Sequence, residues 1–276
     1  MTDIPRIALN SGTAIPQLGF GCFKVDPGMT QQVVEQALEL GYRHIDTATG
    51  YDNETAVGAA LRASGVPRDE IFVTTKLRND HHKAGDVAGA FQRSLDMLGL
   101  DYVDLYLIHW PMPANDKFVT TWRTFEGFYR EGRAKAIGVS NFKIPHLERL
   151  AAETEITPAL DQVELHPLFQ QAELRAYLKE KGIAVEAWGP LGQGRWALDA
   201  YPAIADAAAA HGKTPAQVIL RWHLQEGTIA IPKANQRAHA AANLAITDFA
   251  LTDAEMAAIR ALDTGQRLSA DPDEVN

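Results

Sequence analysis

The side chains of Asp46, Tyr51, Lys76 and His109 are of the types needed to transfer a proton to a carbonyl oxygen. The phenol of Tyr51 has an ordinary pKa of ~10, which is too high for efficient proton exchange near neutrality. A nearby ammonium such as that of Lys76 would favour the phenolate and lower that pKa, and Asp46 could pair with Lys76 and keep it charged. A neutral His109 could hydrogen-bond a substrate carbonyl and fix its position. The set predicts a tuned general acid beside an electrophilic carbonyl.

These side chains supply no hydride, so reduction of a carbonyl would require a cofactor. The segment Leu18–Lys24, LGFGCFK, has two glycines but lacks the third glycine of a Rossmann fingerprint, and the sequence has no GxxxxGK[ST] loop. The metal-binding motifs HExxH and CxxC are also missing, and we interpret His81 and His82 as a solvated loop pair rather than as ligands. No metal site is predicted.

The elements that must position these side chains are short apolar runs that alternate with longer amphipathic stretches, such as Thr30–Leu40 and Ala88–Leu98. This alternation predicts parallel βαβ units, which suit either an open doubly wound sheet or a closed barrel. The even spacing of the runs and the lack of a Pro/Gly/Ser-rich linker favour an α/β fold of the (β/α)8 TIM-barrel type, as a single domain over residues 1–276. The predicted strands are Leu18–Phe23, Arg43–Asp46, Ile71–Lys76, Val103–His109, Ala134–Ser140, Ala159–Glu164, Ile183–Trp188 and Ile229–Lys233.

A β-hairpin is predicted ahead of the barrel, with strands at Arg6–Leu9 and Ala14–Leu18 and a turn at 10–12. We expect this hairpin to close the bottom of the barrel. Near the other end of the chain, Gly189–Tyr201 is predicted to be a loop, and the segment after Leu262 is a polar, irregular tail.

Polar side chains end most of the predicted strands. A barrel places the carboxyl ends of its strands around one face, where the active sites of this fold lie, so these side chains predict a shared functional face. They are Asp46, Lys76, His109, Ser140 with Asn141, Gln162 with Glu164, Trp188, and Lys233.

Bulk composition restricts the classes of partner and location. A formal net charge of -9 argues against non-specific binding of nucleic acid. The N-terminus lacks the pattern of a signal peptide, and no run approaches the ~18 apolar residues that cross a bilayer, so no membrane association is expected. The one cysteine, Cys22, cannot form an internal disulfide and is interpreted as a small buried hydrophobe, which favours a reducing, cytoplasmic location.

Several motifs resemble those of the aldo-keto reductase family. GYRHIDTATGYDNE at Gly41–Glu54 is similar to the first family signature and KAIGVSNF at Lys135–Phe142 to the second, while IPKANQRAHAAANLAI at Ile231–Ile246 resembles the third less perfectly. TTKL around Lys76 and YLIHWP around His109 extend the resemblance, which spans nearly the entire chain. Within the family, WGPLGQG, KTPAQ and the DPDEV tail resemble the bacterial 2,5-diketo-D-gluconate reductases most.

The resemblance implies an NADP(H) that lies extended across the carboxyl ends of the strands, with Asp46, Tyr51, Lys76 and His109 in the catalytic places. The expected cofactor contacts are Ser140, Asn141 and Gln162 to the carboxamide, Trp188 stacked on the nicotinamide, and Leu191, Gly192 and Gln193 in a loop, continuing to Arg195, that covers the pyrophosphate. Phe23, Trp110 and the C-terminal tail would line the substrate pocket together with His109, and Arg78 stands at its edge, where relatives often carry Trp. Glu164 and His166 are expected to be structural.

The sequence departs from the family pattern mainly at the adenosine end. Lys233 stands where a partner of the 2′-phosphate is expected, but Ala234 replaces the following hydroxyl residue and His239 replaces an Arg. Arg237 is a candidate substitute, and Asn243 remains for the adenine. Loss of a hydroxyl donor and a permanent, fork-shaped cation weakens phosphate recognition. We therefore predict that NADPH is preferred and that NADH is also used appreciably.

The predicted function is NADPH-dependent reduction of a small carbonyl by a monomeric enzyme, with 2,5-diketo-D-gluconate reduced to 2-keto-L-gulonate. An alternative substrate class is an α-dicarbonyl or aldehyde of the methylglyoxal type. A barrel aldolase with Lys76 as the Schiff-base nucleophile is a second class of enzyme. A non-catalytic subunit that only binds the nucleotide is a third possibility, against which the complete Asp46, Tyr51, Lys76 and His109 set counts.

Overall fold

A computed structural model describes residues 4–82 and 86–275 of the chain. The first two strands, β1 (Arg6–Ala8) and β2 (Ala14–Pro16), form an antiparallel hairpin in which Ile7 lies opposite Ile15. Eight further strands follow in parallel: β3 (Phe20–Gly21), β4 (His44–Asp46), β5 (Phe72–Leu77), β6 (Leu105–Ile108), β7 (Ile137–Ser140), β8 (Leu160–Glu164), β9 (Ala184–Trp188) and β10 (Ile229–Ala230).

The parallel sheet runs from β3 to β10 in chain order and closes on itself. Closure depends on backbone hydrogen bonds from Gly19 N to Ala230 O at 2.9 Å and from Gly21 N to Pro232 O at 3.1 Å. A Cβ on Gly21 would lie 2.7 Å from the carbonyl oxygen of Ile231, so only glycine permits this approach of the two strands. The closed barrel with its outer helices confirms the predicted (β/α)8 fold.

Helices connect or follow the strands. The first illustrates how the sequence sets their limits: it begins three residues before the periodic stretch Thr30–Leu40, because the Asp26 side chain accepts from Gly28 N and Pro27 suits the first helical position. The helices are α1 (Pro27–Leu40), α2 (Glu54–Ala63), α3 (Asp86–Leu98), α4 (Phe118–Arg130), α5 (Ile144–Glu153), α6 (Ala172–Glu180), α7 (Pro202–His211), α8 (Pro215–Gln225), α9 (Arg237–Leu244) and α10 (Asp253–Arg260).

The hairpin covers the amino-terminal end of the barrel, as predicted. Leu9 and Ile15 belong to a buried cluster with Phe72, Leu105 and Ile229, each of which begins its strand. Burial of a Leu or Ile side chain stabilises a fold by roughly 1.5–3 kcal/mol, so the hairpin is held by apolar packing. The opposite, carboxyl end of the barrel stays free for a site.

Two local expectations were wrong. The last strand ends at Ala230 rather than Lys233, because Pro232 has no N–H for the ladder. His82 is not solvated: it is 4% exposed, and neither of its ring nitrogens has a hydrogen-bond partner among the described residues.

Cys22 is free and fully buried, which fits its interpretation as a small hydrophobe. Among the helices of the described ranges, none has the length and apolar character to cross a bilayer. These ranges also hold no group of three or more His, Cys, Asp or Glu side chains placed to bind a metal ion.

Candidate active site

The barrel brings the four residues of the predicted proton-transfer set to the carboxyl ends of neighbouring strands. Asp46 ends β4, Lys76 lies near the end of β5, and His109 follows β6 directly. Tyr51 closes a short 3-10 helix, Thr49–Tyr51, in the loop after β4. The Thr49 hydroxyl donates to the carbonyl oxygen of Lys76 at 3.1 Å, which ties this turn to β5 and places the phenol over the barrel.

The ammonium of Lys76 is the centre of this set. Its Nζ donates to Asp46 Oδ1 at 2.6 Å, to the carbonyl oxygen of Thr47 at 2.9 Å and to the hydroxyl oxygen of Tyr51 at 3.2 Å. All three protons of the ammonium are therefore used, and the Lys76 side chain is completely buried. Burial lowers the pKa of Lys76, but the charge of Asp46 and the contact with Tyr51 raise it above its ordinary value, so the amine stays charged.

The pKa of Tyr51 differs from the expectation. Burial raises it to about 12, and this effect exceeds the lowering by the charge of Lys76. The predicted direction of the Lys76 effect is correct, but the predicted net lowering is wrong, because a sequence shows the neighbouring charge and not the loss of solvent. The consequence is that the phenol keeps its proton at neutral pH.

His109 lies beside the phenol. Its ring centroid is 5.7 Å from that of Tyr51, with the ring planes at 73°. Burial, followed by the positive charge of Lys76, lowers the pKa of His109 to about 3. The imidazole is therefore neutral at physiological pH, as the sequence predicted, and can act as a hydrogen-bond donor or acceptor.

Asp46, Tyr51 and His109 form part of the floor of a cleft of about 640 Å³ at the carboxyl face of the barrel, and Lys76 is buried outside its lining. This volume is typical of sites for a small molecule or cofactor. Predicted site residues that line the cleft are Phe23, Asp46, Tyr51, His109, Trp110, Ser140, Asn141, Gln162, Trp188, Leu191, Gln193 and Lys233.

One wall of the cleft is a polar row contributed by β7, β8 and β9 and by Asn141, which follows β7. Asn141 Nδ2 donates to the carbonyl oxygen of His109 at 2.9 Å and to Ser140 Oγ at 3.1 Å, while its Oδ1 accepts from Trp188 Nε1 at 2.9 Å. Asn141 has a φ of 64°, a left-handed conformation that Asn tolerates better than most residues. Gln162 Nε2 donates to Asp46 Oδ2 at 2.8 Å, so the row is joined to the ion pair in the floor.

A loop after β9 covers one side of the cleft. Gly192 is buried with a φ of 67°, and a Cβ there would overlap the indole nitrogen of Trp196. From the opposite side of the cleft, Lys24 Nζ reaches Gln193 Oε1 at 3.5 Å. The loop predicted at 189–201 thus has a defined form that depends on glycine, with short 3-10 turns at Gly192–Gly194 and Leu198–Ala200.

The predicted adenosine contacts lie farther along the same face. Lys233 lines the cleft and donates to the carbonyl oxygen of Lys24 at 3.2 Å, whereas Ala234 is buried outside the cleft lining. Arg237 begins α9 and pairs with Glu39 of α1 at 2.6 Å. His239 is exposed and Asn243 is buried on the same helix. Lys233 therefore lies at the cleft, whereas the Arg237 side chain is paired with Glu39 and does not line it.

On the expected substrate side, Phe23 is 44% exposed and its ring centroid lies 5.0 Å from that of Tyr51. Trp110 also lines the cleft. Arg78 does not: its side chain is exposed and pairs with Asp80 at 3.3 Å. The neighbouring Gly50 lines the cleft in its place.

The C-terminal tail is attached to the barrel by Glu164. Its carboxylate accepts from Leu268 N at 2.6 Å and Ser269 N at 3.1 Å, and His166 Nε2 lies 3.2 Å away. These contacts lower the pKa of Glu164 although burial acts to raise it. Glu164 thus holds Ser269 at the edge of the cleft, which agrees with the structural role expected for it.

Sequence reasoning missed several residues of the site. Lys24, Trp196 and Leu198 line the cleft from loops, where spacing carries no signal. Glu186 is fully buried below the cleft and accepts from Gln162 Nε2 at 2.9 Å. A signal for Glu186 existed: it is the charged residue within the apolar run of β9, two positions before Trp188 and hence on the same face.

The chain matches a known protein family over most of its length. The sequence profile of the Aldo/keto reductase family matches residues 17–264. An aldo-keto reductase of Mycolicibacterium smegmatis is 50% identical over 272 residues, 99% of this chain and 98% of the relative. The methylglyoxal reductase DkgA of Salmonella typhimurium is 47% identical over 274 residues, 99% of both chains.

Solved structures give the same result. An aldo/keto reductase from Brucella melitensis matches with a TM-score of 0.91 and 49% identity, over 95% of this chain and all of the other. A variant of Gox0644 in complex with NADPH matches with a TM-score of 0.94 and 41% identity, over 99% of both chains. The chain belongs to the aldo-keto reductase family, and it is an NAD(P)H-dependent oxidoreductase of small carbonyl substrates.

Proposed function

We propose that this chain reduces a small carbonyl compound with NADPH, and that Tyr51 gives the proton to the carbonyl oxygen. The observation that carries the proposal is the contact of the buried Lys76 ammonium with both the phenol oxygen of Tyr51 and the carboxylate of Asp46, at the floor of a cleft. Tyr51 is a protonated phenol beside a fixed cation, and the charge of Lys76 offsets part of the cost of forming a phenolate at this buried position, as a general acid requires.

The residues of the cleft fit a nicotinamide cofactor. Trp188 offers a flat indole in the wall, and the Gln162 amide oxygen accepts no hydrogen bond from the described residues, which leaves an acceptor for a carboxamide. Lys24 and Lys233 bring positive charge to the cleft, and Lys233 is assigned to the 2′-phosphate. When bound, the cofactor supplies hydride to the carbonyl carbon.

The protein groups act on the other atom of the carbonyl. Tyr51 donates its proton to the oxygen as negative charge develops there, and Lys76 stabilises the resulting phenolate through its 3.2 Å contact. Neutral His109 orients the carbonyl from beside the phenol. Asp46 keeps Lys76 charged and in place.

The bonding of Lys76 disfavours the aldolase alternative. A Schiff base requires an unprotonated amine, which usually means a lowered pKa. Here the pKa of Lys76 is raised and all three ammonium protons are donated to protein oxygens. The same amine that suits a phenol activator is therefore a poor nucleophile.

Two substrates are proposed for the reduction. Similarity to DkgA of Salmonella typhimurium, which is named a methylglyoxal reductase, supports methylglyoxal as the substrate. 2,5-Diketo-D-gluconate, reduced to 2-keto-L-gulonate, is favoured by the motifs WGPLGQG and KTPAQ, and by Arg195, a cation in the cleft lining that could attract a carboxylate. For the cofactor, we propose that NADPH is preferred and NADH is also used, since Arg237 is paired with Glu39.

Steady-state assays of cofactor oxidation with each substrate would test the proposal. We expect measurable kcat/KM for both compounds and a lower value for a simple aldehyde that lacks a second oxygenated carbon. Failure to oxidise NADPH with any dicarbonyl, diketo acid or aldehyde would contradict the reductase assignment. If only one of the two substrates reacts, that result selects between them.

A further inference from the structure

The buried carboxyl group of Glu186 is not used in the proton transfer, yet it contacts the site from below. Glu186 lies on β9 directly opposite Gln162 of β8, and both side chains point into the barrel. Gln162 Nε2 donates to Glu186 Oε2 at 2.9 Å and to Asp46 Oδ2 at 2.8 Å. One amide group therefore bridges two carboxyl groups across the barrel interior.

This arrangement determines which way the Gln162 amide faces. Both neighbours are hydrogen-bond acceptors, so the two protons of the amide nitrogen must point toward them. A flipped amide would place its oxygen against two carboxyl oxygens and lose both bonds. The amide oxygen is left as the group of Gln162 that faces the cleft, where it can accept from an N–H of a bound molecule.

We propose that Glu186 is a positioning residue for the cofactor: with Asp46 it fixes the Gln162 amide so that its oxygen accepts from the carboxamide nitrogen of the nicotinamide. This inference rests on the proposed function, because it assumes that the nicotinamide lies in the cleft. Glu186 would thus help to recognise the carboxamide through Gln162, although Glu186 itself does not contact the cofactor. Without Glu186, one amide proton has no acceptor and the amide is free to turn.

The surroundings of Glu186 support a neutral, orienting role. Its side chain is fully buried; the charges of Asp46 and Lys76 act on it, and His44 Nε2 lies 3.5 Å from Glu186 Oε1. Burial, and then the charge of Asp46, raises the pKa of Glu186 to about 8, while burial lowers the pKa of His44 to about 3. With the acid proton on Oε1, the oxygen beside His44, the other oxygen Oε2 still accepts from Gln162, and a neutral Gln at position 186 offers the same acceptor.

Calorimetric binding of three probes separates this role from a structural one. The probes are NADP+, its 3-acetylpyridine analogue, in which a methyl ketone replaces the carboxamide and removes the N–H donor, and adenosine 2′,5′-bisphosphate, which has no nicotinamide. We expect the wild-type protein to prefer NADP+ over the analogue by roughly 3- to 10-fold, the value of one hydrogen bond. Glu186→Met should reduce this preference toward unity, and Glu186→Gln should retain it.

The bisphosphate is the control for folding, and all variants should bind it with the same affinity. Asp161→Asn is the matched control for a buried carboxyl, since Asp161 is equally buried on β8 but does not bond the Gln162 side chain, and it should keep the preference. Full preference in Glu186→Met, no preference in the wild type, or equal loss of bisphosphate affinity would overturn the inference. Carbonyl reduction by the wild type, measured separately, would show whether the proposed function itself stands.

Discussion

Lys76 Nζ lies 3.2 Å from the hydroxyl oxygen of Tyr51 and carries no contact with solvent. The cation also lies 4.9 Å from the centroid of the Tyr51 ring, so the phenol is held against a charge that cannot be screened by water. Charge on the phenol oxygen would form in this environment. Replacement of Lys76 should therefore reduce both activity and stability, whereas Tyr51→Phe should reduce the rate of hydride transfer.

Replacement of Lys76 by Met should abolish most activity and also destabilise the protein. Removal of one partner of a buried ion pair leaves Asp46 uncompensated, at a cost of about 3–5 kcal/mol. The double variant Asp46→Asn with Lys76→Met removes the unpaired charge, so stability should recover while activity does not. Urea unfolding together with kcat would measure both effects. Recovery of activity in the double variant would contradict the role assigned to Lys76.

Replacement of Gly192 by Ala should weaken NADPH binding. The Cβ of the alanine would overlap the Trp196 indole, and the alanine would also have to adopt a left-handed φ of 67°. Gly194→Ala is the matched control: its φ is 73°, but a Cβ there meets no atom within 4 Å, so it introduces backbone strain without the overlap. Dissociation constants from fluorescence titration should rise more for Gly192→Ala. Equal effects would mean that the indole contact is unimportant.

Cofactor preference should depend more on Lys233 than on Arg237. Lys233 lines the cleft, whereas Arg237 is engaged with Glu39. Lys233→Met should lower kcat/KM for NADPH by roughly tenfold or more, as expected for a charge-assisted contact, and should change the value for NADH little. Arg237→Ala should have the smaller effect on NADPH. A negligible NADH rate in the wild type would refute the predicted dual use.

The sequence was sufficient to predict the barrel and the residues at its rim, for definite physical reasons. A polar residue that ends an apolar run, such as Asp46 or Gln162, is unusual enough to indicate a site, and parallel strands must bring such residues to one face. Burial is different, because it depends on the packing of the whole fold. The raised pKa of Tyr51 and the burial of His82 could not be inferred for that reason.

Loops and interior contacts were also beyond the sequence. Arg78 lies beside Gly50 of the cleft lining and its exposed side chain pairs with Asp80, so its place at the pocket edge stays a prediction; the conformation of an exposed side chain on a loop is set by its local partners. The burial of Glu186 was not predicted. A charged residue within a short apolar run can lie on either face of the strand, and the sequence alone does not show that both faces of β9 are covered.

The contribution of three buried histidines to stability should fall as the solution is acidified below neutrality. Burial lowers the pKa of His44, His109 and His223 to about 3 in the folded state, from an ordinary value of 6.5. Between these two values the unfolded chain binds protons at these histidines that the folded chain does not, so their contribution to the free energy of unfolding decreases as the pH falls.

A variant at one of these histidines isolates the effect. His223→Gln should lose about 2 kcal/mol less stability than the wild type between pH 7 and pH 5, as measured by urea unfolding. The exposed His239 serves as the control for the loss of an imidazole, and its replacement by Gln should leave the stability at pH 7 unchanged. An identical pH dependence in the wild type and His223→Gln would contradict the burial argument.

The most direct test of the central claim is single-turnover hydride transfer by Tyr51→Phe. The variant keeps the ring packing against Phe23 and His109 but has no proton to donate. We predict that the rate of NADPH oxidation by substrate falls by at least ~10²-fold, the usual contribution of a general acid, while the NADPH dissociation constant stays within about twofold. A rate equal to that of the wild type, with the cofactor bound normally, would show that the proton comes from another group.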